Sequence, residues 1–125
     1  PMLEKTRDIY NLDLLSQKIA TAALLDQDHA RQSWQQVRLE RQRLSEALLA
    51  MDLTSAPSQA NFLLVNVPVT IGISAASLYL GLKQKHILVR YFDQPRLDDK
   101  LRITIGTRTE NDQLLEALTQ LLATA

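Results

Sequence analysis

The chain has 125 residues, of which 46% are hydrophobic and 22% charged, a composition typical of a globular domain and unlike that of a disordered chain. Its 14 basic and 14 acidic side chains give a formal net charge of zero, so it lacks the basic excess of a nucleic-acid-binding protein. No apolar run approaches the roughly 20 residues of a membrane span. The absence of cysteine excludes disulfides, thiolate catalysis and cysteine-based zinc sites, and it fits a reducing compartment, so we expect a cytoplasmic location.

The first half of the chain has the pattern of two helices. Apolar residues spaced for one helix face run from Leu12 to Leu25, with Asn11 as the expected N-cap. The polar cluster DQDH (26–29) predicts a break, and a second helix follows to about Met51, with Trp34 on its core-facing stripe.

The second half of the chain alternates strands with helices. The segment NFLLVNV (61–67) is apolar on both faces, which predicts a central strand. A helix capped by Ser74 and ending near Lys85 comes next, followed by the predicted strands HILVRYF (86–92) and LRITIGT (101–107). The segment TSAPSQ (54–59), which lies between the second predicted helix and the strand at 61–67, has the composition of a turn.

The order of these elements indicates the fold class. Thr109 is the expected cap of a last helix, which carries a leucine-rich face. Helices and strands are partly segregated, which predicts an α+β fold in which a small, mostly antiparallel three-stranded sheet is covered on one face by helices. We expect residues 1–125 to form a single domain.

Three ordered segments resemble a known family. TRDIYNLDLLSQKIATAAL, PSQANFLLV and HILVRYFDQPRLDDKLRITIGTRTENDQLLEAL are similar to histidinol-phosphate aminotransferases, pyridoxal-phosphate enzymes of the aspartate aminotransferase fold type. The most specific part is ILVRYF followed by LRITIGT and a capped helix. The resemblance implies that residues 1–125 are the C-terminal small domain with its preceding interdomain helix, that the large cofactor domain is absent from this chain, and that the chain is a piece of a longer protein.

The resemblance also has consequences for the cofactor and partners. The family's cofactor-binding lysine lies in a motif resembling Ser-Lys-x-x-x-Leu-x-Gly-x-Arg, and no lysine of this chain has that context. We therefore expect pyridoxal phosphate in the full-length enzyme, but neither bound cofactor nor catalysis in this fragment alone. The resemblance further implies a homodimer in full-length form, acting on a small amino-acid or phosphate substrate. Because the large domain that would cover the first helix is absent from this chain, we expect self-association through the apolar segment from Leu12 to Leu25.

Arg102 is the first candidate substrate-binding residue. It alternates with Leu101 and Ile103 in a predicted strand, so its side chain must point away from the core. The resemblance implies that it binds the substrate α-carboxylate, for which the planar guanidinium offers two parallel donors. The alternative is an ordinary solvated strand face.

Arg90 is the second candidate substrate-binding residue. It lies in the strand LVRYF, with Val89 and Tyr91 pointing the opposite way. The resemblance implies contact with the substrate, at the phosphate end of histidinol phosphate. The alternative is a surface ion pair with Asp93 or Asp98, and such pairs are common and weak.

The other polar residues carry weaker signals. Tyr10 and Asn11 stand where the family's chain passes between its domains, but packing and helix capping explain them as well, and turn chemistry explains Asn61. His29 and His86 lack a carboxylate at a metal-binding spacing, so no metal site is expected. Three alternative functions remain open: another class I/II pyridoxal-phosphate aminotransferase, a phosphothreonine decarboxylase, and a non-enzymatic α+β module that binds an anion or a partner.

Overall fold

The computed structural model describes residues 2, 5 and 10–124. Between residues 10 and 124 the chain forms four α-helices, namely α1 (Leu14–Leu25), α2 (Gln27–Leu49), α3 (Ala75–Gln84) and α4 (Arg108–Leu122). The same range contains four strands, namely β1 (Thr54–Ser55), β2 (Phe62–Asn66), β3 (Arg90–Tyr91) and β4 (Lys100–Thr104). The chain divides into two compact units, Pro1–Ser33 and Trp34–Ala125. None of the helices in the described residues has the length and apolar character needed to cross a membrane.

In the first unit, helix α1 is capped by a carboxylate. The backbone N–H of Ser16 donates to Oδ1 of Asp13 at 2.9 Å, so the predicted cap, Asn11, is wrong and Asp13 takes its place. No residue of α1 is buried, which leaves its large apolar side chains exposed: Leu14, Leu15, Ile19, Leu24 and Leu25. The self-association expected from this face stays a prediction.

In the second unit, the strands form one antiparallel sheet in the order β1-β2-β4-β3. The longer strands β2 and β4 lie in its centre, where Leu63 pairs with Ile103 and Val65 pairs with Leu101. This confirms the predicted α+β class and the central position of β2. The sheet has four strands rather than the predicted three.

The extra strand comes from the segment predicted as a turn. Thr54 and Ser55 lie opposite Asn66 and Val65, at the outer edge of β2. Without β1, the backbone N–H and C=O groups along that edge would have no partners in the sheet. Turn composition did not reveal this short pairing, because only two residues take part.

Strand β3 is shorter than predicted because the residues that precede it are hydrogen-bonded to the end of helix α3. His86 has a φ of 61°, and the backbone N–H of Ile87 donates to the carbonyl oxygen of Leu82 at 2.9 Å. The chain therefore turns tightly at the end of α3. It pairs with β4 only at Arg90–Tyr91, rather than along the whole of residues 86–92.

The hydrophobic core lies on one face of the sheet. Alternation along β2 and β4 turns Leu63, Val65, Leu101 and Ile103 inward, and each is at most 2% exposed. Leucines from three helices complete this core: Leu44, Leu48, Leu78, Leu82, Leu114 and Leu118. Trp34 is 55% exposed, so its predicted core position is wrong; the packed stripe of α2 begins about one turn later.

Helix α3 is capped as predicted and packs closely on α4. The hydroxyl of Ser74 accepts from the backbone N–H of Ser77 at 3.1 Å. A Cβ atom built on Gly81 would lie 2.7 Å from Cδ2 of Leu121. Close helix packing therefore accounts for a glycine that helix propensity disfavours at this interior position.

The cap of helix α4 differs from the prediction by two residues. Thr107, not Thr109, is the N-cap, and it forms a capping box with Glu110. The backbone N–H of Thr107 donates to Oε2 of Glu110 at 2.7 Å, while the backbone N–H of Glu110 donates to Oγ1 of Thr107 at 3.4 Å. Both threonines precede acidic residues, so only the backbone geometry distinguishes them.

Replacing the observed cap should weaken the fold more than replacing the predicted one. We expect Thr107→Ala to lower the free energy of unfolding by about 1 kcal/mol, because the first turn of α4 loses a backbone hydrogen bond. The matched control, Thr109→Ala, should stay within about 0.5 kcal/mol of the unaltered chain. Urea denaturation of the 125-residue chain measures both values, and equal losses would contradict this assignment.

A buried polar network ties helix α2 to the turn between β4 and α4. The Glu40 carboxylate accepts from Nη2 of Arg43 at 2.7 Å and from Nδ2 of Asn111 at 2.9 Å. Asn111 also donates to the carbonyl oxygen of Gly106 and accepts from its backbone N–H, each at 3.1 Å. Arg43 extends the network to Asp112 at 2.7 Å. The hydrogen bonds from Arg43 and then Asn111 hold the pKa of Glu40 below its ordinary value.

Candidate functional site

The outer face of the sheet brings the two candidate arginines together. Arg90 on β3 lies directly opposite Arg102 on β4 in the register, and Leu64 on β2 lies opposite Arg102 on its other side. Both arginines are exposed, whereas Leu101 and Ile103 are buried on the inner face. The predicted outward orientation of Arg102 is therefore confirmed, and the register adds that Arg90 is its cross-strand neighbour.

The two arginines have no acidic partner among the described residues. Four ion pairs occur in that part of the chain: Asp28–Arg31, Glu40–Arg43, Arg43–Asp112 and Asp99–Lys100. The alternative ion pair of Arg90 with Asp93 or Asp98 is therefore wrong in this structure. Like charges directly opposite each other on neighbouring strands repel, so the pair of arginines costs stability unless an anion balances it.

Each guanidinium instead lies over an aromatic ring. The Cζ atom of Arg102 is 5.6 Å from the ring centre of Phe62, and that of Arg90 is 5.5 Å from the ring centre of Phe92. These are cation–π distances. A phenylalanine ring has no lone pair that could accept a conventional hydrogen bond, so the N–H donors of both arginines stay available for another acceptor.

The arginine pair is therefore suited to bind an oxyanion. Cβ atoms of directly opposed residues on antiparallel strands are about 5 Å apart, so both long side chains reach one shared volume above the sheet. A carboxylate or phosphate in that volume can accept charge-assisted hydrogen bonds from both arginines. The sequence identified Arg90 and Arg102 but missed Phe62 and Phe92, because the register that brings Phe62 to Arg102 is not visible in the sequence.

The weaker candidates do not join this site. Tyr10 is 86% exposed, so the expectation that it packs is wrong. Asn61 lies immediately before β2, and its carbonyl oxygen accepts from the backbone N–H of Ile105 at 2.8 Å, a structural contact. His29 lies in the first turn of α2 and His86 follows α3; residues 2, 5 and 10–124 contain no group of three side chains that could hold a metal ion.

Comparison with known proteins identifies the family to which this fold belongs. Residues 2–118 match the family model described as aminotransferase class I and II, and the chain belongs to this family. Among its relatives, the histidinol-phosphate aminotransferase of Synechocystis sp. is 48% identical over 119 residues, which cover 95% of this chain and 33% of the relative. The corresponding protein of Geotalea uraniireducens is 40% identical over 119 residues, which cover 95% of this chain and 33% of that relative. The chain thus spans about a third of the length of the curated relatives it matches.

Solved structures agree with this assignment. The histidinol-phosphate aminotransferase of Sinorhizobium meliloti, solved in complex with pyridoxal-5'-phosphate, superposes with a TM-score of 0.82 at 25% identity, covering 98% of this chain and 33% of that one. A decarboxylase from Sulfurospirillum multivorans superposes with a TM-score of 0.78 at 25% identity, covering 97% and 35% respectively. These matches confirm the predicted aminotransferase fold type.

The family depends on pyridoxal phosphate, but the described lysines do not form a site for it. Covalent attachment of this cofactor needs a lysine amine within a sheltered pocket. Lys83 lies over the ring of Tyr79, with Nζ 6.0 Å from the ring centre, and Lys85 donates to Gln120 at 2.7 Å. Lys100 pairs with Asp99, and both Lys5 and Lys18 are exposed. None of these described lysines therefore lies in a sheltered pocket that could hold the cofactor covalently.

Proposed function

We propose that this chain is the substrate-binding C-terminal domain of a histidinol-phosphate aminotransferase, which exchanges an amino group between histidinol phosphate and 2-oxoglutarate in histidine biosynthesis. The Synechocystis and Geotalea relatives support the substrate, and the aminotransferase family supports the reaction. In this proposal residues 1–125 form the small domain together with its preceding interdomain helix. The large cofactor domain belongs to the rest of a longer protein.

The single observation that carries this proposal is the exposed pair of arginines without acidic partners among the described residues. Histidinol phosphate has one strongly anionic group, its phosphate, whereas glutamate and 2-oxoglutarate have carboxylates. We assign the substrate α-carboxylate to Arg102 and the phosphate to Arg90. Because the two residues are direct cross-strand neighbours, each can also assist the other on a single oxyanion.

A decarboxylase is the second candidate function. The structure from Sulfurospirillum multivorans, described as a decarboxylase, superposes nearly as well as the aminotransferase from Sinorhizobium meliloti. A phosphothreonine decarboxylase would also require cationic side chains for a phosphorylated substrate. The curated relatives favour the aminotransferase, since the proteins of Synechocystis sp. and Geotalea uraniireducens carry that name at 48% and 40% identity.

The proposal includes what this chain does by itself. We expect the 125-residue chain to bind a small anionic substrate weakly and to catalyse no amino transfer, because its described lysines offer no attachment for the cofactor. The longer protein would act as a homodimer. Mixing the purified chain with pyridoxal phosphate, glutamate and imidazole-acetol phosphate tests the expected lack of catalysis, and product formation would contradict it.

The role of Arg90 can be tested in a fusion enzyme, in which residues 1–125 replace the matching third of the Synechocystis relative. We expect Arg90→Ala to lower kcat/KM for histidinol phosphate about 100-fold, because the phosphate loses a charge-assisted hydrogen bond. The rate with unphosphorylated histidinol should change less than about threefold, since that substrate has no phosphate to lose. Equal losses with both substrates would contradict the phosphate role.

The control for this experiment is another exposed arginine. Arg38 on α2 is exposed, and among the described residues it has neither a hydrogen bond nor an ion pair. Arg38→Ala should leave both rates unchanged. An inactive fusion enzyme with the unaltered chain would contradict the proposed function itself, provided that the intact Synechocystis relative is active in the same assay.

A further inference from the structure

We propose that Phe62 and Phe92 are positioning residues for the arginine pair, which hold the two guanidiniums apart so that an oxyanion can enter between them. This inference rests on the proposed function only for the identity of the anion. The contacts themselves come from the structure: Cζ of Arg102 is 5.6 Å from the centre of the Phe62 ring, and Cζ of Arg90 is 5.5 Å from the centre of the Phe92 ring.

The positions of the rings explain the direction in which each arginine is held. Phe62 belongs to β2, which flanks β4 on the side away from β3. Its contact therefore draws the guanidinium of Arg102 away from Arg90. Phe92 follows β3 directly, so its contact holds Arg90 along its own strand. Two like charges that face each other in the register are thus separated by attraction to two different rings.

The rings also leave the hydrogen-bond donors of both arginines free. A phenylalanine ring attracts the guanidinium charge but has no lone pair to accept a conventional hydrogen bond from its N–H groups. An acidic partner would hold an arginine equally well, but it would occupy those donors and compete with the substrate. Fixing a side chain before binding reduces the conformational entropy lost on binding. The two phenylalanines therefore orient the arginines without neutralising them.

Phe62 is the better position for a test, because it is 36% exposed and its replacement leaves the core intact. Phe62→Leu keeps an apolar side chain but removes the aromatic face, whereas Phe62→Trp restores a larger one. Leu88→Ala is the control for a general loss of exposed apolar surface, since Leu88 is 81% exposed and has no aromatic ring to offer a guanidinium.

Inorganic phosphate is the probe, and NMR of the arginine Nε–H groups of the 125-residue chain is the measurement. We expect Phe62→Leu to weaken phosphate binding about fivefold, as expected for losing a cation–π contact at an exposed site. Phe62→Trp and Leu88→Ala should bind like the unaltered chain. Equal affinity in Phe62→Leu, or an equal loss in Phe62→Leu and Phe62→Trp, would overturn the inference, since packing alone would then explain the ring.

A second readout separates this inference from the proposed function. The heteronuclear NOE of the Arg102 Nε–H group, recorded without phosphate, reports how firmly the side chain is held. It should fall in Phe62→Leu and be retained in Phe62→Trp. If the unaltered chain binds no phosphate, the proposed anion site fails, and this NOE comparison alone then decides whether the ring positions Arg102.

Discussion

Arg102→Ala is expected to lower kcat/KM of the fusion enzyme for 2-oxoglutarate about 1,000-fold, the largest effect on activity that we predict, because the α-carboxylate assigned to Arg102 loses two charge-assisted hydrogen bonds. Arg102 lies in the middle of β4, paired on one side with Leu64 and on the other with Arg90. The strand fixes the Cα position of Arg102, so truncation removes the guanidinium assigned to the α-carboxylate from this place on the sheet. Steady-state kinetics with histidinol phosphate and 2-oxoglutarate measures the loss.

Two further measurements show whether the loss comes from the guanidinium or from the fold. Arg102→Lys keeps the charge but loses the planar fork, and we expect it to recover no more than about tenfold of the lost activity. The side chain of Arg102 is exposed, and relief of the repulsion with Arg90 offsets loss of the cation–π contact with Phe62, so the free energy of unfolding of Arg102→Ala should change by less than about 0.5 kcal/mol. Near-normal kinetics in Arg102→Ala would contradict the substrate-binding role.

Asn111→Ala is expected to lower the free energy of unfolding of the 125-residue chain by about 3 kcal/mol, the largest stability effect we predict. Asn111 is 2% exposed, and it is hydrogen-bonded to both the Glu40 carboxylate and the Gly106 backbone. Its truncation leaves a buried charge with one donor fewer and a backbone N–H without its acceptor. Gln113→Ala, at an exposed position on the same helix, is the control and should be nearly neutral.

The same network predicts a dependence of stability on pH. The pKa of Glu40 is lowered in the folded chain by its hydrogen bonds from Arg43 and Asn111. The stabilisation it provides is therefore fully present above the ordinary glutamate pKa of 4.5 and is lost as the pH falls below that value. Denaturation from about pH 7 to about pH 3 measures this loss. Glu40→Gln should be less stable at neutral pH and should lose less stability over the same interval, whereas parallel curves would contradict the role of Glu40.

Much of the fold followed from local patterns in the sequence. Alternation along LRITI predicted which side chains of β4 enter the core, and the apolar run FLLV predicted a central strand. Ser74 was recognisable as a cap because a single candidate preceded α3. The caps Asp13 and Thr107, which the sequence reasoning missed in favour of Asn11 and Thr109, show the limit of this reasoning. Where two residues of the right type lie close together, the cap depends on which backbone turn forms, and tertiary packing decides that.

Less of the candidate site could be predicted from the sequence. The exposure of Arg102 followed from its strand, and the family resemblance added Arg90 as a candidate. That Arg90 lies directly opposite Arg102 depends on the register of two strands joined by residues 92–99, which no local pattern specifies. The ring of Phe62 over Arg102, and the buried link from Glu40 to Asn111, join residues that are distant in the sequence.

The most direct test of the central proposal is a crystal structure of the fusion enzyme with histidinol phosphate bound. Arg90 and Arg102 should face the substrate from neighbouring strands, with guanidinium nitrogens within about 3 Å of its phosphate oxygens. In a complex with glutamate, Arg102 should bind the α-carboxylate instead. A substrate held entirely by other residues, with both guanidiniums turned to solvent, would contradict the assignment of this sheet face to substrate binding.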